Sequence, residues 1–352
     1  MIRLLLMHRD TVVYDIKTDR VFNEKLMPSV YTGSNRNTDI IRWLKDRAIP
    51  LSRHNADKIY SAAGLIPGDN EIELIKLTHG ASVNDNYWVK SGKEFENIAW
   101  KDVILHSNKL DAGISQLAFT GTGPATITGK ELSPEFTGQG SYTKCILRGA
   151  DGSLVLYKAG TNYEISAEII SAYICNVLGI PSVQYWFDNL SGVNVSACKI
   201  ATNEALSWIS AHHLTAYTEW QFHKNICDYC RETFPIEFYS MVLIDGLVLN
   251  SDRHLKNWSL QFNGYNNNLI GMAPNYDFNR AFTATHDTKS NLIFGMNVLE
   301  AAREAEKMLG LDLVTKLTPI VSTLPEIWQE PFRNRILYIS GIKQTQHGCY
   351  MG

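Results

Sequence analysis

Asn250-Ser251-Asp252-Arg253-His254-Leu255-Lys256-Asn257-Trp258 is the stretch that decides how this chain reads. Apolar residues at helical spacing over 238–249 run into it, predicting a helix that ends at the loop. After it, runs at 258–262 and 269–272 flank the polar turn Asn263 to Asn268 and predict a hairpin. The chain then reads Ala273-Pro274-Asn275-Tyr276-Asp277-Phe278-Asn279-Arg280. Phosphoryl transfer asks for a carboxylate that orients an attacking hydroxyl and takes its proton. It also asks for oxygen ligands that hold Mg²⁺ against phosphates. In that reading Asp252 faces the acceptor, while the Asn257 amide oxygen and the Asp277 carboxylate are metal ligands. Aspartate and asparagine are also common as caps and turn residues. The order helix, loop, hairpin, Asp-Phe-Asn separates this stretch from an ordinary turn.

Working outward, 145–148 and 154–158 are short strand candidates around Gly152. An amphipathic helix follows over 164–178, stopped by Gly179-Ile180-Pro181. Further strands are predicted at 183–187 and 193–200. Toward the N-terminus, 2–7 and 11–16 suggest a hairpin around His8–Asp10. Segments 39–46 and 54–63 have helical patterning, parted by Pro50, and 67–70 is a turn. Beyond 204 the pattern reads as mainly helical, with 208–214 and 297–309 as helical stretches. The expected domains are an N-terminal accessory module (1–104), a small mixed α/β lobe (105–202) and a mainly helical large lobe (203–352).

Composition sets outer limits. The chain has 352 residues, enough for two lobes. Its 33 basic and 36 acidic residues leave a net charge of −3, which argues against a bulk electrostatic grip on nucleic acid or an anionic membrane. No stretch approaches a spanning segment or a signal peptide, so a cytoplasmic protein without membrane contact is expected. The six cysteines show no disulfide framework. Cys227-Asp228-Tyr229-Cys230 is a lone pair near His223 and reads as two helix-face thiols. His212-His213 reads as surface or partly packed, and Trp43, Trp88 and Trp100 as core.

The stretch 238–282 resembles the catalytic core of HipA-like serine/threonine kinases. MHRDTVVYDI near the start, RAIPLSR at 47–53 and NDNYWVK at 84–90 are similar to the CtkA-type variant of that family, which carries an extra N-terminal module. The resemblance implies an α+β, two-lobed protein-kinase-like fold that uses ATP and Mg²⁺. It implies Lys158, in Leu156-Tyr157-Lys158-Ala159-Gly160, as the lysine for the α- and β-phosphates. Glu168 is then the helix carboxylate that orients it, with Glu164 as rival. Gly138, Gln139, Gly140 and Ser141 look like the loop covering the phosphates, with 121–123 as a competitor. Cys198 to Ile200 falls where the adenine-binding hinge is expected. By analogy His254 braces the loop, and Arg253 pairs with a phosphate or a nearby carboxylate. Thr283, Thr285, Thr288 and Ser290 are candidate phosphorylation sites. The substrate would be a protein carrying serine or threonine, and a toxin–antitoxin role with an antitoxin partner is implied. A phosphoinositide or lipid kinase shares the DRHxxN loop, but only Arg280, His286 and Lys289 follow Asp277 as scattered basic residues. A nucleotide-binding pseudokinase is the non-enzymatic reading.

Overall fold

The computed structural model describes residues 4–30, 36–68, 71–92, 97–138, 140–216, 225–283 and 289–342. The chain divides into two compact units. The first comprises Met1–Gly160, Trp186–Phe222 and Ser259–Gly271, the second Thr161–Tyr185, His223–Trp258 and Met272–Gly352.

In the first unit, β1 (Leu4–His8) and β2 (Thr11–Asp15) form the hairpin that the two apolar runs predict. Its turn is tied down at each residue. Asp10 accepts from the Trp100 N–H, and the Arg9 carbonyl accepts from the Trp88 indole. β3 (Arg20–Val21) pairs with β2. α1 (Arg36–Lys45), α2 (Ala56–Ala62) and α3 (Glu71–Leu77) follow. β4 (Tyr87–Ser91) then pairs with the free edge of β1, giving the order β3-β2-β1-β4.

The short α4 (Trp100–Val103) and α5 (Ala112–Thr120) lead to a second antiparallel sheet. It contains β5 (Lys144–Arg148), β6 (Leu154–Ala159), β7 (Tyr185–Leu190) and β8 (Val193–Lys199) in the order β5-β6-β8-β7. The expected strand at 183–187 starts later because the Val183 N–H is engaged by the Asn275 carbonyl. Met7 and Trp88 of the first sheet share one apolar core with Ile146 and Leu154 of the second, and Trp100 and Val103 of α4 join it. Side chains within 1–104 thus share a core with the second sheet. Trp43, Trp88 and Trp100 are all buried.

The helical expectation for 208–214 is wrong. β9 (Leu206–Ser210) takes its first three residues and pairs antiparallel with β10 (Ser259–Asn263), followed by a single 3₁₀ turn at His213–Ala216. Ser207 and Ile209 are buried while Leu206, Trp208 and Ser210 are half-buried, which is a two-residue period. Apolar content alone did not reveal it, and β10 supplied the pairing partner. β11 (Leu269–Met272) completes the order β11-β10-β9.

The second unit is helical among its described residues. α6 (Asn162–Leu178) begins with a capping box between Thr161 and Glu164 and ends at Gly179 with φ 74°. α7 (Ile226–Thr233) precedes α8 (Pro235–Val248), which has proline in its first turn. α9 (Val298–Leu309), α10 (Leu313–Leu317) and α11 (Glu326–Ile339) follow. α8 and α9 approach so closely that a Cβ on Gly246 would fall 2.3 Å from that of Ala302. No helix among the described residues is long and apolar enough to cross a membrane.

Candidate active site

α8 delivers the loop. Leu249 turns the chain at φ 49°, and the Asn250 N–H caps the helix by donating to the Asp245 carbonyl at 2.9 Å. Asp245 is the one acidic residue inside the buried run of α8. Its carboxylate takes one edge of the Arg253 guanidinium, with Nε and Nη2 each 3.0 Å from an oxygen, and the pair is 4 % and 3 % exposed. Burial is the largest influence on Arg253 and works against its charge. The Asp245 carboxylate outweighs it and, with Asp277, holds the guanidinium above its usual range. Burial is also the largest influence on Asp245 and pushes its carboxyl upward, while Arg253 and Asn250 pull it back.

Arg253 thus pairs with a carboxylate inside the unit and is not presented to a phosphate. Its remaining nitrogen organises the site. Nη1 donates to the Asn257 carbonyl and, at 2.8 Å, to the carbonyl of Tyr276, the residue before Asp277. One guanidinium nitrogen therefore brings the end of the DRHxxN loop beside the start of Asp-Phe-Asn, although the hairpin separates them in sequence.

Within the loop, the Asn257 side-chain N–H group donates to the Asp252 carbonyl at 2.9 Å and to its carboxylate at 3.4 Å. This use of Nδ2 makes Oδ1 the acceptor end of the amide. Asp252 itself is half-exposed and its backbone N–H is held by Asn250. His254 is 51 % exposed, and its Nδ1 accepts from the Lys256 N–H. That contact braces the loop locally. Asp277 has φ 61°, a left-handed conformation that a non-glycine residue adopts when its surroundings impose it. The Tyr185 hydroxyl accepts from its N–H at 3.1 Å, and Asn275 bridges to Ser182 just before it. The amide oxygen of Asn257 and the carboxylate of Asp277 are hard-oxygen donors, the kind that Mg²⁺ accepts.

The other expected residues lie on identifiable elements. Lys158 is near the end of β6, opposite Lys144 and Ser196, with its ammonium 5.1 Å from the centre of the Tyr142 ring. Glu168 is 1 % exposed on α6, which excludes an ordinary surface glutamate. Its rival Glu164 is engaged by its capping box, with Oε2 2.8 Å from the Thr161 N–H. Cys198 is buried in β8, and the Ile200 N–H donates to the Leu154 carbonyl. Gln139 lies outside the described residues, as do Thr285, His286, Thr288 and His223.

Gly138, Gly140 and Ser141 belong to a loop anchored by residues distant from it in sequence. Arg53, fully buried, pairs with Glu135 and donates to the carbonyls of Gly138 and Lys144. Glu135 in turn accepts from the Ile146 N–H at 2.7 Å, and the His54 N–H holds the Ser141 carbonyl. A Cβ at Gly138 would lie 2.2 Å from the Arg53 guanidinium, so the close approach needs glycine. Gly140 has φ 85°. Arg47, from the same RAIPLSR stretch, makes a second buried ion pair, with Asp85. Asp245 had a visible signal, an acid inside an apolar helix. Glu135 had none, and nothing in the sequence paired it with Arg53, 82 residues away.

Cys227 and Cys230 are buried on α7, and burial raises both thiols, Cys227 to about 11, so neither has thiolate character near neutral pH.

Neither a protein-family profile nor a curated protein matches this chain. Among solved structures it is similar to HipA of Shewanella oneidensis MR-1, described in a toxin–antitoxin complex with HipB and operator DNA. Identity is 12 %, the TM-score 0.54, and the match covers 96 % of this chain and 97 % of that one. This likeness shows a HipA-like fold. The Helicobacter pylori proinflammatory kinase CtkA matches at 18 % identity and TM-score 0.43, over 56 % of this chain and 90 % of that one.

Proposed function

We propose that this chain is an ATP- and Mg²⁺-dependent phosphotransferase, specifically a protein serine/threonine kinase of the HipA-like type. The observation that carries the reading is the pair of hydrogen bonds donated by Arg253 Nη1, to the Asn257 carbonyl and to the carbonyl preceding Asp277. It gives a physical reason for two carboxylates and an amide from distant sequence to serve one site.

The roles follow from the local chemistry. Asp252 is half-exposed and can accept a proton from a serine or threonine hydroxyl. Asn257 Nδ2 fixes the Asp252 carboxylate while Oδ1, with Asp277, would hold Mg²⁺. Mg²⁺ bound there would neutralise phosphate charge. The rigid Asp245–Arg253 pair beneath keeps both stretches in register. Lys158 for the α- and β-phosphates, Glu168 as its orienting carboxylate, the 138–141 loop over the phosphates and the Cys198–Ile200 backbone for adenine come from the sequence resemblance. A small antitoxin protein as partner belongs to the same reading, because the Shewanella HipA is described with HipB.

The test is incubation with labelled ATP and Mg²⁺, wild type beside Asp252→Asn and Asp277→Asn, with mass spectrometry of the products. Loss of the base in Asp252→Asn should slow transfer by at least roughly 10²-fold. Asp277→Asn should also lose Mg²⁺-dependent nucleotide binding, which Asp252→Asn largely keeps. Transfer at the wild-type rate in both variants would overturn the assignment. Zero turnover by folded wild type would favour a nucleotide-binding pseudokinase, and phosphorylation of phosphoinositides but not proteins a lipid kinase.

A further inference from the structure

Asp46, His212 and His213 lie far from the DRHxxN loop in sequence and have no part in the proposed phosphotransfer. Asp46 follows the last residue of α1, its N–H bonded to the Arg42 carbonyl. The two histidines follow β9 directly, where the chain leaves the strand for its short 3₁₀ turn. Three ligand atoms, one from each side chain, lie within 4.8 Å of one another. Asp46 Oδ2 is 3.2 Å from His213 Nε2 and 3.8 Å from His212 Nε2. All three residues are half-buried.

We propose that these three side chains form a binding site for a divalent transition-metal ion of the zinc class. The spacing is the first reason. Ligands about 2.0–2.1 Å from a tetrahedral Zn²⁺ stand about 3.3 Å apart. The two nitrogen–oxygen distances bracket that separation, so small side-chain adjustments would close the set. The second distance, 3.8 Å, is longer than a direct hydrogen bond. The third observation lies behind the set. Ser210 Oγ is 3.0 Å from His213 Nδ1, where it fixes the ring orientation and leaves Nε2 facing Asp46. Partners of this kind on the distal ring nitrogen are what orient metal-bound histidines.

The donor chemistry selects the ion. Two imidazoles and one carboxylate suit zinc and its neighbours, whereas Mg²⁺ prefers oxygen alone. Three protein ligands leave a fourth position for water. The ion would cross-link the end of α1 to the segment after β9, which are 166 and 167 residues apart in sequence. The site is independent of the Mg²⁺ proposed at Asn257 and Asp277.

The experiment uses the full chain without an affinity tag, stripped with chelator and titrated with ZnCl₂ by calorimetry in Mg²⁺-free buffer. One Zn²⁺ per chain is expected. Asp46→Asn and His213→Ala should each weaken binding at least tenfold, and Ser210→Ala should weaken it less while keeping the stoichiometry. Circular dichroism checks each variant for folding. If a variant fails to fold, the visible spectrum of Co²⁺-loaded wild type decides. Bands of a low-coordinate nitrogen/oxygen site support the proposal, and thiolate charge transfer overturns it by assigning the ion to cysteines. No Zn²⁺ binding by wild type, or undiminished binding in the triple variant Asp46→Ala/His212→Ala/His213→Ala, also overturns it. Those results would leave a hydrogen-bonded Ser210–His213–Asp46 chain.

Discussion

Arg253 and Asp245 show how one buried pair can set the geometry of exposed groups. The guanidinium has no water in which to dissolve its charge, so its donors go to a carboxylate and two carbonyls. Removing one partner of such a pair strands the other. Arg253→Ala should therefore cost about 3–5 kcal/mol of stability and lower the melting temperature sharply. Asp252→Asn, at a half-exposed position, should leave melting nearly unchanged while slowing transfer, and comparing the two curves separates support from chemistry. His8 is a second case at this scale. Burial first, and then the Arg9 charge, push its imidazole down to about 4. The unfolded chain therefore takes up the proton before the folded one does. Stability is whole above about pH 6.5 and falls as the pH drops towards 4, by roughly 3 kcal/mol for this residue. Urea unfolding at pH 7.0, 5.5 and 4.5 should show that loss, and His8→Gln should flatten it.

Elements carry the site because of how they pack. α8 ends where the loop begins, and its position depends on the contact with α9 at Gly246 and Ala302. Gly246→Val would drive two methyl groups into Ala302 and the Val298 carbonyl. It should cost about 1–3 kcal/mol and reduce transfer, although the residue touches no candidate catalytic group. Thermal melting and the labelled-ATP assay check both parts, and unchanged melting would mean that the helices can move apart freely. The described residues of the glycine loop, Gly138 and 140–143, are an element of the opposite kind. They lie in no helix or strand and are held from outside by Arg53 and His54.

At the scale of the whole molecule, the buried and half-buried histidines with lowered pKa among the described residues fall in the first unit. His8, His79 and His106 all belong to it, and burial is the largest influence lowering each. Acid should therefore loosen this unit before the second. Hydrogen exchange at pH 7 and pH 5, corrected for intrinsic rates, should show β1, β4 and β8 losing protection while α8 keeps it. Equal loss in both units would contradict this. The shared core of the two four-stranded sheets belongs to the same scale, because it joins side chains of 1–104 to Ile146 and Leu154. That arrangement gives RAIPLSR a physical meaning. Arg47 reaches Asp85, and Arg53 reaches the glycine loop.

The sequence by itself determined what is local. Period and capping residues placed β1, β2, β5, β6, α6, α8, α9 and the β10–β11 hairpin, because each leaves a repeat or a stop signal within a few residues. They also marked Asp252, Asn257 and Asp277 through a fixed order of residue types. Only the tertiary structure decided that 206–210 is a strand, since β10 supplies its missing partner. It alone brought Arg53 to Glu135, and Asp46 to His212 and His213. Those groups meet over separations of 82 to 167 residues. Charge pairing across such distances follows from how the elements pack, and it leaves no periodic trace in the chain.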